Sequence, residues 1–256
     1  MKAIIIGAGR GYRIMPYSRY QPKCFTEVNG KRMIDYALGA FKKSNLNEIH
    51  FIGGYLIDVV KKEYPQFVFH HNSEWKNNNI LASVFFAESV MRNGFISVYS
   101  DILFTPEIIK KLVKSPHDIT IVVDSKWKAR YKDRLQHPMD DAEKVICKDN
   151  RIIKISRKIS NEEANGEFIG LAKFSTEGAQ KFIAHYYKAE QKYKDTPFQG
   201  NLTFRKAYLI DLFQEMLEEC EKIFQITTDG GYYEIDTVED LRLASESILK
   251  SQEFSQ

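Results

Sequence analysis

Along residues 1–124, apolar runs of strand length alternate with stretches whose apolar positions recur at helical spacing, the pattern of parallel β-α-β units. Ala3–Ile6, Ile49–Ile52, Phe67–His70, Phe95–Tyr99 and Ile119–Val123 are predicted strands. Ile34, Ala37, Leu38 and Phe41 fall at i, i+3, i+4 and i+7, so one face of that segment can lie on a sheet. After Asp124 the pattern changes to a charged, aromatic-containing stretch, then short strands at Lys144–Cys147, Arg151–Ile155 and Phe168–Phe174. Glu177–Tyr193 and Thr203–Cys220 read as helices, the latter with Leu209, Leu212, Phe213, Met216 and Leu217 on one stripe. Thr237 stands where it can cap a last helix, with Glu239 and Asp240 near its positive end.

These elements predict one α/β domain over residues 1–256: a Rossmann-like, mostly parallel mixed sheet flanked by helices, with a small β-containing excursion. Residues 1–124 form its first part, 125–235 a second, and 236–252 a closing helix. There is no internal repeat and no low-complexity linker.

Composition narrows the function classes. With 37 basic and 34 acidic residues the net charge is only +3, which gives no cationic footprint for a phosphate backbone, so nucleic acid is not an expected partner. Cys24, Cys147 and Cys220 are odd in number and widely spaced, which argues for reduced thiols rather than disulfides or a zinc site. The six histidines form no H-x-E or H-E-x-x-H arrangement, and His70 and His71 on one strand point to opposite faces. No run of ~18 apolar residues and no signal-like leader occurs, so a cytoplasmic location without membrane contact is expected.

The chemistry-bearing segment directly follows the first strand: Gly7-Ala8-Gly9-Arg10-Gly11-Tyr12-Arg13. Backbone N–H groups at the carboxyl edge of a parallel sheet suit phosphate, and glycines allow close approach. The dinucleotide fingerprint fails because Tyr12 stands where its last glycine belongs, and no Lys-Ser/Thr follows for a Walker loop. Gly9, Gly11, Arg13, Pro16, Pro22 and Lys23 instead fit a longer pattern. It resembles the opening motif A-A-G-x-G-x-R-L-x-P-x-T-x-x-x-P-K of the nucleoside-triphosphate transferases, which include sugar-phosphate nucleotidyltransferases and phosphocholine cytidylyltransferases. Spacing matches without a gap from Ala8 to Lys23; Gly7, Tyr12, Ile14 and Ser18 depart from it.

The resemblance implies an enzyme that joins a nucleoside monophosphate from an NTP to a small acceptor. Arg13 and Lys23 would stabilise charge on the phosphates, and Asp101 and Asp236 would hold Mg²⁺. Asp101 ends a predicted strand, and Tyr233-Glu234-Ile235-Asp236-Thr237 is similar to the family's Y-E-I-D-S. Each aspartate also has a bland reading, as a strand end or a helix-start acid. Ala8, Gly9, Gly11, Gly54, Tyr55, Asn78 and Asn79 match positions that bind the nucleotide, although Gly53-Gly54 can equally be a turn and the asparagines helix caps. Asp124, Trp127, Arg134, Asp141, Glu143 and Glu167 lie in stretches similar to cytidylyltransferases of phosphonate and phosphoramidate pathways, which implies CTP and a small amino-alkyl phosphate or phosphonate acceptor. A sugar-1-phosphate nucleotidyltransferase using CTP, UTP or dTTP is the enzymatic alternative, and a catalytically silent nucleotide-binding module the non-enzymatic one. A homo-oligomer is compatible with all of these.

Overall fold

A computed structural model describes residues 1–200, 203–251 and 254. Its centre is a nine-stranded mixed sheet. In chain order the strands are β1 (Lys2–Gly7), β2 (Ile49–Gly53), β3 (Val68–His71), β4 (Phe95–Tyr99), β5 (Ile119–Asp124), β6 (Lys144–Lys148), β7 (Arg151–Ile155), β8 (Gly166–Phe174) and β9 (Phe224–Thr228). The spatial order is β3-β2-β1-β4-β8-β5-β9-β7-β6. The block β3-β2-β1-β4 is parallel, β8 runs antiparallel between β4 and β5, and β9 returns parallel to β5.

Apolar residues occupy both faces of the parallel strands because helices cover both sides. Ile4 and Ile6 join one core with Phe95 and Phe174, while Ala3 and Ile5 join another with Phe51, Ile96 and Val98. The helix Met33–Lys42 buries Ile34, Ala37 and Phe41 in the second core, as its periodicity predicts. The strands expected in the excursion belong to this same sheet: β6 and β7 form its far edge, and β8 bonds to β6 as well as β5.

Two segments differ from expectation. Thr203–Cys220 is not one helix: Phe204–Lys206 makes a single 3-10 turn, and the helix proper is Leu209–Glu218. Asp211 accepts the Tyr208 N–H at 2.7 Å, so the helix starts afresh there. The closing helix spans Val238–Ser251, with position 252 outside the described residues. It begins as expected, Thr237 Oγ1 accepting the Asp240 N–H at 3.1 Å and Asp240 accepting the Thr237 N–H at 2.9 Å. Among the described residues no helix is long and apolar enough to cross a membrane.

Candidate active site

The site forms at the carboxyl ends of β1 and β4, where open α/β sheets bind ligands. After β1 the chain runs through the glycine loop into a 3-10 turn, Tyr12–Ile14, and a second such turn, Lys23–Phe25. Gly11 lies in the left-handed region at φ 67°, and a Cβ there would sit 2.9 Å from the Lys23 side chain. Ser18 Oγ donates to the Gly11 carbonyl at 2.6 Å, which folds the loop back on itself. Arg13 and Lys23 thereby reach the same place from two turns.

Asp101 and Asp236, 135 residues apart (236 − 101), meet through a two-stranded ribbon. Ile102–Phe104, just after Asp101, pairs antiparallel with Tyr232–Glu234, just before Asp236, and the Ile235 N–H donates to the Asp101 carbonyl at 2.9 Å. Lys23 Nζ donates to Asp101 Oδ2 at 2.7 Å and to Asp236 Oδ1. Arg13 donates to Asp236 Oδ2 at 2.6 Å and to Asp141 at 3.1 Å. Burial alone would lower the Lys23 value, but the two aspartates outweigh it and hold the ammonium above its ordinary range. Burial likewise works to raise Asp236, yet Lys23 and Arg13 pull it well below the usual carboxylate range. Asp101 Oδ1 is buried and accepts no hydrogen bond.

Two cavities meet at this knot, sharing Arg13, Asn79, Ile80, Asp101 and Asp236. The first, about 430 Å³, lies over the glycine loop and is lined by Ala8, Gly9, Gly11, Asn78, Ser83 and Trp75 among others. Of the expected nucleotide residues, Gly54 and Tyr55 are not in its wall. A Cβ on Gly54 would meet Trp75 at 2.6 Å, and the Tyr55 N–H donates to the Ala8 carbonyl at 3.0 Å, so both support the wall from behind. Asn79 precedes the helix Ile80–Val84 but does not cap it with its side chain, which donates to the Lys206 carbonyl at 3.0 Å. Asn78 pairs amide to amide with fully buried Asn72, each bond 3.0 Å, and Asn72 also reaches Ser83 at 2.8 Å. Asn72 and Ser83 carried no recognisable motif. Tyr12, 64% exposed, stands at the rim and takes a bond from Arg10 at 3.2 Å.

The second cavity, about 290 Å³, contains six carboxylates, Asp101, Asp141, Glu143, Glu167, Glu234 and Asp236, against the guanidinium groups of Arg13 and Arg157. Burial pushes Glu143 up to about 7 even though Arg157 and Tyr99 favour its charged form. Burial also raises Glu167, against hydrogen bonds from Tyr131 and Tyr232, and raises Glu234, where Asp236 adds repulsion. Aromatic walls come from Tyr99, Phe168, Tyr208 and Tyr232. Gly170, at φ 81°, admits the Tyr99 ring, which a Cβ would meet at 2.5 Å.

Three of the expected acceptor contacts lie outside this cavity. Asp124 is fully buried, bound to Arg130 and to the Lys126 N–H at 2.9 Å. Trp127, 1% exposed, packs with Tyr131, Ala142, Ile159 and Ala164, because a large indole gains more from burial than from solvent. Its cluster includes Ala142, the residue between Asp141 and Glu143. Arg134 is bound to Asp240 at 2.8 Å and to the Glu234 carbonyl at 2.7 Å, tying the closing helix to the ribbon. Tyr99, Arg157, Tyr208 and Glu234 were missed. Glu234 and Tyr99 each lie two residues from an aspartate, a strand-face signal that could have found them; Arg157 and Tyr208 arrive by long-range packing with no local signal. His137 was missed too: its imidazole, Glu234 and Asp236 each offer a ligand atom, and the three atoms lie within 4.8 Å of one another, the sole such group of three among the described residues.

Residues 2–98 match the family model for nucleotidyl transferases. The chain is 32% identical over 256 residues to a CTP:phosphoglutamine cytidylyltransferase of Campylobacter jejuni, covering 96% of this chain and 100% of that one. It is 24% identical over 258 residues to a choline-phosphate cytidylyltransferase of Streptococcus pneumoniae, covering 98% and 100%. The solved CTP:phosphocholine cytidylyltransferase from Streptococcus pneumoniae shares the fold at TM-score 0.72 and 21% identity, over 96% of this chain and 98% of that chain. With a relative 32% identical over 96% of this chain, and the glycine loop inside the matched model, the chain belongs to the nucleotidyl transferase family.

Proposed function

We propose that the chain transfers a cytidylyl group from CTP to a small acceptor that carries a phosphoryl or phosphonyl group and an ammonium, releasing pyrophosphate. The observation that carries this is the junction of the cavities: a glycine-loop cavity and an acid-rich one meet at Arg13, Asp101 and Asp236. An anionic acceptor alone would meet an acid-rich wall in which Glu143, Glu167 and Glu234 are poorly satisfied as anions, whereas one that brings its own cation turns them into partners. A sugar phosphate would leave them facing neutral hydroxyls.

The NTP would lie over the loop, its phosphates on the backbone N–H groups from Gly9 to Gly11 and its base toward Trp75, Asn78 and Ser83. Arg13 and Lys23 would stabilise the charge that grows on the α-phosphate and on departing pyrophosphate as the acceptor oxygen attacks. The donor set suits a hard divalent cation: Asp101 Oδ1 is buried without a partner and Asp236 stands on the other side of Lys23. Asp101 and Asp236 would hold Mg²⁺, which when bound polarises a phosphoryl oxygen as a Lewis acid. Support for CTP comes from the two full-length relatives, both named as cytidylyltransferases, one for phosphoglutamine and one for choline phosphate.

The test is pyrophosphate release from CTP, UTP, dTTP and ATP, each against aminoalkyl phosphates, aminoalkyl phosphonates and glucose-1-phosphate, with Mg²⁺. CTP with an ammonium-bearing acceptor should give the highest kcat/KM. Preference for the sugar phosphate, or for another NTP, would overturn the proposal.

A further inference from the structure

Asn72 has no part in the proposed transfer, yet it organises one wall of the nucleotide cavity. It directly follows β3, and its N–H donates to the Gly53 carbonyl at 2.8 Å, which continues the β3–β2 pairing past His71. Its side chain is fully buried, where an amide needs partners for its polar atoms. The Glu74 N–H donates to Asn72 Oδ1 at 3.0 Å. A backbone N–H can only donate, so the atom it meets must be the oxygen, and this bond fixes which way round the Asn72 amide lies. Nδ2 then commits its two hydrogens to Asn78 Oδ1 at 3.0 Å and to Ser83 Oγ at 2.8 Å.

That orientation is passed on to Asn78. Its Oδ1 accepts from Asn72 and, at 3.5 Å, from the Ser83 hydroxyl, while its Nδ2 donates one hydrogen to Asn72 Oδ1 at 3.0 Å. Turning the Asn78 amide over would set N–H against N–H and oxygen against oxygen across the pair. The second Nδ2 hydrogen of Asn78 has no acceptor among the described residues, and Asn78 lines the cavity over the glycine loop. The wall therefore offers a ligand a donor, with its amide carbonyl already engaged.

We infer that Asn72 sets the choice of base: it holds Asn78 with the spare N–H toward the base, so the edge that fits is one with an acceptor at N3. Cytosine has a bare N3. Uracil and thymine carry N3–H there, which would oppose the Asn78 donor and leave both donors unpaired. The inference rests on the proposed function, which directs the base toward Asn78 and Ser83, and adds what reads it and what holds the reader. Asn72 touches no substrate and is a positioning residue.

The test measures nucleotide binding without an acceptor: titration calorimetry, with Mg²⁺, of CTP, UTP and 3-deaza-CTP, in which a C–H replaces N3. The wild type should bind CTP about ten- to a hundredfold tighter than either of the others, the cost of one unmade bond to a buried donor. Asn72→Ser keeps an acceptor for the Glu74 N–H but loses the amide pair; Asn72→Leu keeps the volume and loses both. In each variant the Asn78 amide can turn over, so CTP should weaken while UTP holds or tightens, bringing the ratio to within a few fold of one. A residue that only packed that wall would weaken both nucleotides alike and leave the ratio as it was. Equal binding of CTP and UTP by the wild type, 3-deaza-CTP bound as tightly as CTP, or an unchanged ratio in Asn72→Ser would overturn the inference while the proposed transfer stood. If Asn72→Leu does not fold, Asn72→Ser decides; if neither folds, Asn78→Ala takes their place, and a ratio that survives it overturns the inference. Tighter binding of UTP than of CTP by the wild type would remove the proposed use of CTP and this inference with it.

Discussion

Lys23→Met isolates the charge balance at the centre of the site. The Lys23 ammonium is nine-tenths buried and lies between two carboxylates that are themselves 24% and 14% exposed. Methionine keeps the stem but removes the cation paired with Asp101, while Arg13 remains on Asp236. Removing one partner of a buried pair costs about 3–5 kcal/mol; with Arg13 still present, about 3 kcal/mol is expected. In a chain of this size each 1 kcal/mol lowers Tm by roughly 2–4 °C, so a fall of roughly 6–12 °C should appear in calorimetry without divalent cations. A cation that takes the vacated place should restore it: Mg²⁺ at about a hundred times its Kd adds about 2.7 kcal/mol. The variant should therefore be stabilised by Mg²⁺ more than the wild type is, since in the wild type Lys23 competes for the same oxygens. Equal Tm values for the two proteins without metal, or an equal Mg²⁺ increment, would refute Lys23 as the resident counter-ion of Asp101 and Asp236.

Arg13→Ala should lower kcat by about a hundredfold or more while weakening CTP binding, followed by calorimetry, much less, because the cation acts on charge that develops in the transition state. Asp101→Asn and Asp236→Asn should fold, as judged by circular dichroism, yet lose Mg²⁺-dependent turnover, since an amide keeps the shape without the charge that holds a hard cation. Trp127→Ala should cost about 3–5 kcal/mol in urea unfolding, the signature of an emptied core, in place of the selective rise in acceptor KM expected of a ligand contact. Glu143, pushed up to about 7 by burial, should make stability fall as pH rises from about 4.5 to about 7, because the native state holds a proton that the unfolded chain has released. Arg157, Tyr99, Asp211 and Glu167 face that group, and Asp211, itself pushed up to about 6, adds slope in the same window. Urea unfolding of Glu143→Gln across that range should show a shallower slope; an unchanged slope would remove Glu143 as its source.

Local signals carried most of the architecture and half of the site. The parallel strands were readable because a strand buried on both faces is a near-continuous apolar run, as Ala3–Ile6 and Phe95–Val98 are. Gly9, Gly11, Arg13 and Lys23 line one cavity as their motif leads one to expect, because the loop packs them into a few turns of consecutive chain. Asp101 and Asp236 were visible as motif ends, but their meeting depends on the ribbon between Ile102–Phe104 and Tyr232–Glu234, a pairing across more than a hundred residues that no local period encodes. The acceptor side was harder for the same reason. Within the one stretch from Asp124 to Glu143, Asp141 and Glu143 face the cavity while Asp124, Trp127 and Arg134 do not, and that sorting is fixed by which of them find partners on other elements. Arg157 and Tyr208 come from β7's end and from the turn before the helix Leu209–Glu218, so only tertiary packing puts them side by side.

The ion pairs divide the site by task. On the proposed function, charge shifts at Lys23 and Arg13, where the cations already face carboxylates, so approaching phosphates would exchange one set of anionic partners for another and the cations would not be desolvated afresh. On the acceptor side of the proposed reaction, Glu167 is held by neutral tyrosine hydroxyls and Glu143 by Tyr99 with a long 3.4 Å contact to Arg157, and burial leaves both poorly satisfied as anions. A carboxylate in that state gains most from a cation that arrives with the ligand, since the ligand supplies the missing counter-charge and relieves the desolvation already incurred. Farther from the transfer point, Asp124 with Arg130 and Asp240 with Arg134 are closed pairs that hold β5 and the closing helix in place. The acids proposed for recognition thus meet tyrosines and one long arginine contact, whereas the scaffold acids Asp124 and Asp240 are paired closely with Arg130 and Arg134.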